Sequence, residues 1–107
     1  MKASSAKAKG RRLQDHIRSR ILELFEDLHD DDVKCAIMGE SGHDIHLSPA
    51  AQRRFPFAVE AKNQERLNIW DALKQAEARP KAGLAPLVVF KRNRSDTYCA
   101  LRFEDLL

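Results

Sequence analysis

Apolar residues Leu13, Ile17, Ile21, Leu24, Phe25 and Leu28 recur at spacings of three and four. At about 100° per residue they fill an arc of about 120°, which predicts an amphipathic helix from 11 to about 29. The acids at its far end oppose the helix dipole and favour an early stop. Beyond it the period shortens to two. Val33 to Met38 reads as a strand, Gly39-Glu40-Ser41-Gly42 as a turn, and the alternating His43 to Leu47 as a second strand. Ser48 followed by Pro49 predicts a short helical turn through Arg54, with Ser48 as N-cap and proline at the first helical position. Phe57 to Lys62 reads as a third strand. Asn68 can cap a helix that runs to about Arg79, before Pro80; Ile69, Trp70, Ala72, Leu73 and Ala76 form its apolar arc, so Trp70 is expected in the core. The wholly apolar run from Pro86 to Phe90 suits a buried central strand. After an Arg92-Asn93-Arg94-Ser95 turn, Asp96 to Phe103 reads as a last strand at a sheet edge. The order helix-strand-strand-strand-helix-strand-strand predicts an α/β fold, a single mixed β-sheet flanked by helices.

Composition narrows this picture. The 107 residues suit one domain, 1–107, with residues 1–10 as a basic N-terminal tail. A chain that is 43% hydrophobic and 33% charged, with the two signs nearly cancelling, is globular and not disordered. No apolar run approaches the roughly 18 residues of a membrane span. The basic N-terminus lacks the apolar stretch of a signal peptide, so a cytoplasmic protein is expected. Cys35 and Cys99 form no CxxC and are expected as free thiols in strands. Collagen, coiled coil, disulfide scaffold and membrane protein are excluded.

The net charge of +3 conceals an uneven distribution. Residues 1–20 carry Lys2, Lys7, Lys9, Arg11, Arg12, Arg18 and Arg20 against Asp15 alone, whereas residues 21–32 carry acids and no Lys or Arg. Residues 79–94 carry five basic side chains and no acid. Separated basic segments on a small domain are what a polyanion requires, and solvated surface is the plainer reading of the same charges.

Alternation along a strand places Ala58, Glu60 and Lys62 on one face, and Asp44 and His46 on one face of the strand before it. Neighbouring strands can therefore bring Asp44, Glu60 and Lys62 to one point. Two carboxylates supply the hard oxygen ligands that hold Mg²⁺ beside a phosphate, and the metal acidifies a water. A lysine there can orient that water and offset phosphate charge. An exposed Glu–Lys pair on a solvated strand face has the same local sequence.

With Gly42-His43-Asp44 followed by Val59-Glu60-Ala61-Lys62 and a helix carrying Gln75, the chain resembles the PD-(D/E)XK nuclease superfamily over about residues 9–91. Lys9-Gly10 ahead of the first helix is similar to the Holliday junction resolvase branch. The block from Gly42 to Gln75, with Leu47-Ser48-Pro49-Ala50-Ala51 and Phe55-Pro56-Phe57, resembles small phage-encoded members. The resemblance implies that Asp44, Glu60 and the backbone carbonyl of Ala61 ligate Mg²⁺, with Mn²⁺ able to substitute, and that Lys62 positions the attacking water. No organic cofactor is implied. The family's glutamate on the first helix is matched here by Gln14, about 100° round the helix from Leu13. A neutral amide is a poorer cation ligand, so either Gln14 serves or Glu40 supplies the extra carboxylate. Gln75 resembles a helix-borne glutamine able to bond a phosphate or the lysine.

For substrate contacts, Lys9, Arg11 and Arg12 are expected at the helix N-terminus, where free N–H groups favour phosphate. Arg53, Arg54, Asn63, Gln64 and Arg66 flank the catalytic strand, and Lys91, Arg92 and Arg94 sit in a turn. Such residues hold phosphates without reading bases, and no recognition helix is evident. The expectation is a metal-dependent DNA endonuclease on branched or Holliday junction DNA, working as a homodimer in the cytoplasm, the host's if phage-encoded. The dimer surfaces would be Thr97 to Leu101 and the Leu106-Leu107 end. A nuclease for linear duplex or single-stranded DNA, a non-catalytic nucleic-acid binding module on the same fold, and an ordinary α/β domain are the alternatives.

Overall fold

A computed structural model describes residues 3–37, 42–79, 81 and 83–107. Helix α1 spans Ala3–Leu24 and buries Leu13, Ile17 and Ile21, a stripe at four-residue spacing. Each such side chain contributes about 1.5–3 kcal/mol when removed from water. The helix stops at Leu24, before the acidic run ends, and a 3₁₀ turn, Asp30–Asp32, leads into strand β1, Val33–Cys35. Arg18 ties helix to strand: its Nε donates to the Val33 carbonyl at 2.6 Å and its Nη2 to the Asp30 carbonyl at 2.9 Å. Residues 3–10, expected as a tail, are the first turns of α1, so Lys9, Arg11 and Arg12 sit beyond the free N–H groups of its start.

Strand β2, Ile45–Leu47, pairs antiparallel with β1. Ser48 accepts the Ala51 N–H and caps helix α2, Pro49–Arg54. Strand β3, Phe57–Asn63, pairs in parallel with β4, Ala85–Lys91, through the helix α3, Ile69–Glu77. Asn68 caps α3 by accepting the Asp71 N–H at 3.2 Å. Strand β5, Tyr98–Ala100, pairs antiparallel with β4, and a short helix α4, Phe103–Leu106, follows. The protein is therefore mixed α/β, but its strands form two ladders, β1-β2 and β3-β4-β5, where one sheet was expected. The first ladder is three residues long, too short to run on along β3. Among the described residues a single backbone bond, Asp44 N–H to the Val59 carbonyl at 3.1 Å, links the two.

The core divides across the larger sheet. Val59, Leu87 and Val89 pack toward Leu13, Ile17 and Ile21, while Val88 packs on the other face against Ala72 and Ala76 of α3. Strand β4 is thus covered on both faces, as its unbroken apolar run implies. Trp70 is 75% exposed, against expectation, because the small Ala72 and Ala76 make the close approach to the sheet. Cys35 and Cys99 are free thiols in β1 and β5. No helix of the described residues is long and apolar enough to cross a membrane.

Candidate active site

Beyond the Asp44–Val59 bond the two ladders part, and the wedge between them opens into a cleft of about 300 Å³. Asp44, just ahead of β2, extends its side chain where a strand partner would otherwise pair. Its Oδ2 accepts the Ala61 N–H at 2.6 Å, which fixes the carboxylate against the open edge of β3. Glu60 enters the cleft from β3 and is almost wholly buried, at 3% exposure. Lys62 lines the cleft two residues on, as strand alternation requires.

The helices complete the walls. Gly10 and the buried Gln14 come from α1, and Gln75 from α3. Asp44, Glu60, Ala61, Lys62, Gln14 and Gln75, separated by up to 61 positions in the chain, thus line one cleft. Glu40, the alternative to Gln14, lies outside the described residues, as does most of its turn. Gln64 and Arg66 line an adjoining cleft that shares Lys62 and Gln75 with this one.

Arg79 is the cleft residue that sequence reasoning missed. Its Nη1 donates to Glu60 Oε1 at 2.8 Å and to the Gly42 carbonyl at 2.9 Å. The signal was its place four residues after Gln75 at the expected end of the helix; α3 stops at Glu77, and Arg79 reaches the cleft from just past its C-cap, Ala78. Burial pushes the Glu60 carboxyl above its ordinary range, and the Asp44 charge pushes the same way; Arg79 and Lys62 offset them only in part. Burial also holds the neighbouring His43 imidazole below its usual value, helped by Lys81 and Arg79. Its Nδ1 is buried with no hydrogen-bond partner among the described residues.

A buried carboxylate whose proton affinity is raised by burial and by the Asp44 charge, beside that second carboxylate and a backbone carbonyl, fits a hard divalent cation that keeps much of its own water. Among the described residues no group of three or more His, Cys, Asp or Glu side chains gathers for a metal. Asp44, Glu60 and the Ala61 carbonyl are the groups that could hold a lightly ligated ion such as Mg²⁺.

The remaining expected contacts fall elsewhere. Lys9, Arg12 and Asn63 line a second, larger cleft, and Arg11 is exposed on α1 and lines neither. Arg53 and Arg54 are on α2, which packs on β2 and the 3₁₀ turn, away from both clefts. Arg54 pairs there with Asp27 at 3.2 Å and lies over the Phe25 ring at 5.1 Å. The chain matches no protein-family model, no curated protein and no solved structure.

Proposed function

We propose that the chain is a divalent-metal-dependent DNA endonuclease that acts on branched DNA, in keeping with the PD-(D/E)XK resemblance of its motifs. The observation that carries this reading is the convergence of Asp44, Glu60, Lys62, Gln14 and Gln75 on one cleft around a buried carboxylate. Mg²⁺ held there would supply an acidified water and offset charge on the scissile phosphate. Glu60 and Asp44 would hold that ion, and the Ala61 N–H keeps Asp44 from turning away. Lys62 orients the water whose oxygen adds to phosphorus as the bond to the leaving oxygen breaks. Gln75 and Gln14 donate amide hydrogens to phosphate or water. Arg79 favours the ionised form of Glu60 and offers its other N–H groups to the charge that develops on the phosphoryl oxygens.

The same reading includes a homodimer in the cytoplasm, since a symmetric junction presents two scissile strands and C2 is the commonest pairing of subunits. Edge strand β5 and the exposed Phe103, Leu106 and Leu107 are the surfaces that support it. Light scattering with junction DNA should give twice the 12.2 kDa chain mass plus DNA. One chain per junction would remove the dimer.

The deciding experiment incubates the protein with labelled four-way, flap, duplex and single-stranded DNAs, in Mg²⁺ and in EDTA. Cleavage of branched DNA in Mg²⁺ alone, abolished in Asp44→Asn with binding retained, is the expected result. Binding without cleavage by the parent protein in either Mg²⁺ or Mn²⁺ would favour a non-catalytic DNA-binding module.

A further inference from the structure

The larger cleft, of about 870 Å³, lies across the α1–β3 seam from the candidate active site. Adjacent residues divide between the two: Gly10 and Lys62 line the active-site cleft, Lys9 and Asn63 the other. One wall of the larger cleft is α1, where Lys9, Arg12, Leu13 and His16 stand at i, i+3, i+4 and i+7. At 1.5 Å per residue this row is about 10 Å long. The opposite wall is the end of β4 and the turn after it, with Lys91 and Arg94.

Two features of this cleft cost stability. Lys9 is 7% exposed, yet its nearest ion partner, the Glu65 carboxylate, stands 3.9 Å away. That same carboxylate accepts the Asn93 N–H at 2.5 Å, so Glu65 draws the turn toward α1 and cannot wholly serve Lys9. Arg94 holds φ at +64°, a left-handed conformation that glycine or asparagine would adopt with less strain. The turn is closed around it by Ser95, whose hydroxyl accepts the Arg92 N–H at 3.0 Å. A charged side chain kept at a strained position on the rim of a basic trough marks a contact that a glycine could not make. Asp96 is the acid on a lining that also carries Lys9, Arg12, Lys91 and Arg94.

From this we infer that the α1/β4–β5 cleft is a second phosphate-backbone site, which holds a stretch of DNA strand away from the scissile bond. Its length equals the rise of about three nucleotides of one B-DNA strand at 3.4 Å each. The choice of DNA as the polyanion rests on the endonuclease reading above; the cleft and its charge do not. Because the two clefts share a wall, a strand seated here enters the active site from the Lys9–Gly10 side, at a fixed offset.

The test is binding of a fluorescein-labelled four-way junction in EDTA, by anisotropy across a salt series, so that cleavage plays no part. Arg94→Gly should melt no lower than the parent while it binds several-fold more weakly. Arg12→Ala combined with Arg94→Gly should weaken binding at least 10-fold and lower the slope of log K against log salt by about 2, one for each lost phosphate contact. Lys34→Ala, exposed on β1, should bind as the parent does. A folded double variant that binds within twofold of the parent, with an unchanged slope, overturns this site even if the protein cleaves DNA. Weakened binding by the double variant sustains it even if the parent never cleaves, which would remove the endonuclease reading alone.

Discussion

The two clefts are neighbours built on opposite electrostatic plans. The smaller centres on Glu60, buried beside Asp44 and held by Arg79; the larger centres on cations at the rim of α1 and a surface turn. Burial makes the first a place where few groups act strongly, since charges there are poorly screened. Exposure makes the second a place where several groups each contribute modestly and salt weakens them together. Each also carries its own cost to folding, a desolvated carboxylate in one and a left-handed arginine in the other. On the proposed function the difference separates chemistry from holding, and variants in each cleft should fail in different ways.

The largest effect expected is at Lys62. Lys62→Ala should lower kcat about 100-fold or more, while DNA affinity in Ca²⁺ stays within about threefold. Single-turnover cleavage and anisotropy on one junction measure both. Equal losses would move Lys62 from the chemical group to the holding group and blur the distinction between the clefts.

Next is the counter-charge on Glu60. Arg79→Ala leaves a buried carboxylate beside Asp44 and should cost about 1–2 kcal/mol without divalent metal. That figure is below the 3–5 kcal/mol of a fully buried pair because Arg79 is 41% exposed. Urea melts in EDTA read this, and Mg²⁺ should restore part of the loss. The sign of the Glu60 shift gives a companion test. Its folded-state affinity for a proton is raised, so the stability it contributes is full below its ordinary 4.5 and is lost as pH rises through its folded value. Glu60→Gln should therefore be more stable than the parent at pH 7, and the advantage should fade below about pH 4.5. A Glu60→Gln variant no more stable than the parent at pH 7 would show that the cleft carries no electrostatic strain.

The smallest effect should come from a site outside both clefts. Ser48→Ala removes the cap of α2 and should cost about 1 kcal/mol with cleavage and DNA affinity unchanged. Ser48 also donates to Asp32 Oδ1 at 2.6 Å, and with the His29 N–H it holds the Asp32 carboxyl below its ordinary range. Stability from Asp32 is present above its unfolded value and lost as pH falls through its lower folded one. Acid titration of Ser48→Ala should show a smaller Asp32-linked loss that is complete at higher pH than in the parent. Changed cleavage in this variant would mean that α2 is coupled to the active site.

Much of the candidate site was legible before any coordinates. Strand alternation put Glu60 and Lys62 together, and motif order brought in Asp44, because a strand's side-chain direction is set by its backbone alone. Arg79 was legible only as a neighbour of Gln75, since a helix period says which residues share a face and not what that face meets. The larger cleft was present in the sequence only as separate basic segments. Its walls are 84 residues apart from Lys9 to Asn93, and Glu65, which touches both, is the link that no local pattern contains.

What the chain determined by itself were its local elements: the Leu13-Ile17-Ile21 stripe, the Ser48 and Asn68 caps, and the apolar run of β4. These follow from short-range sterics, capping and periodicity, which each segment carries wherever it lies. The tertiary structure decided the break of the sheet into two ladders at Asp44 and the exposure of Trp70 once Ala72 and Ala76 took the contact with Val88. It decided the guanidinium on Glu60 as well. Each of these depends on packing between segments far apart in sequence, where the closest fit of whole surfaces overrides the preference of any one residue.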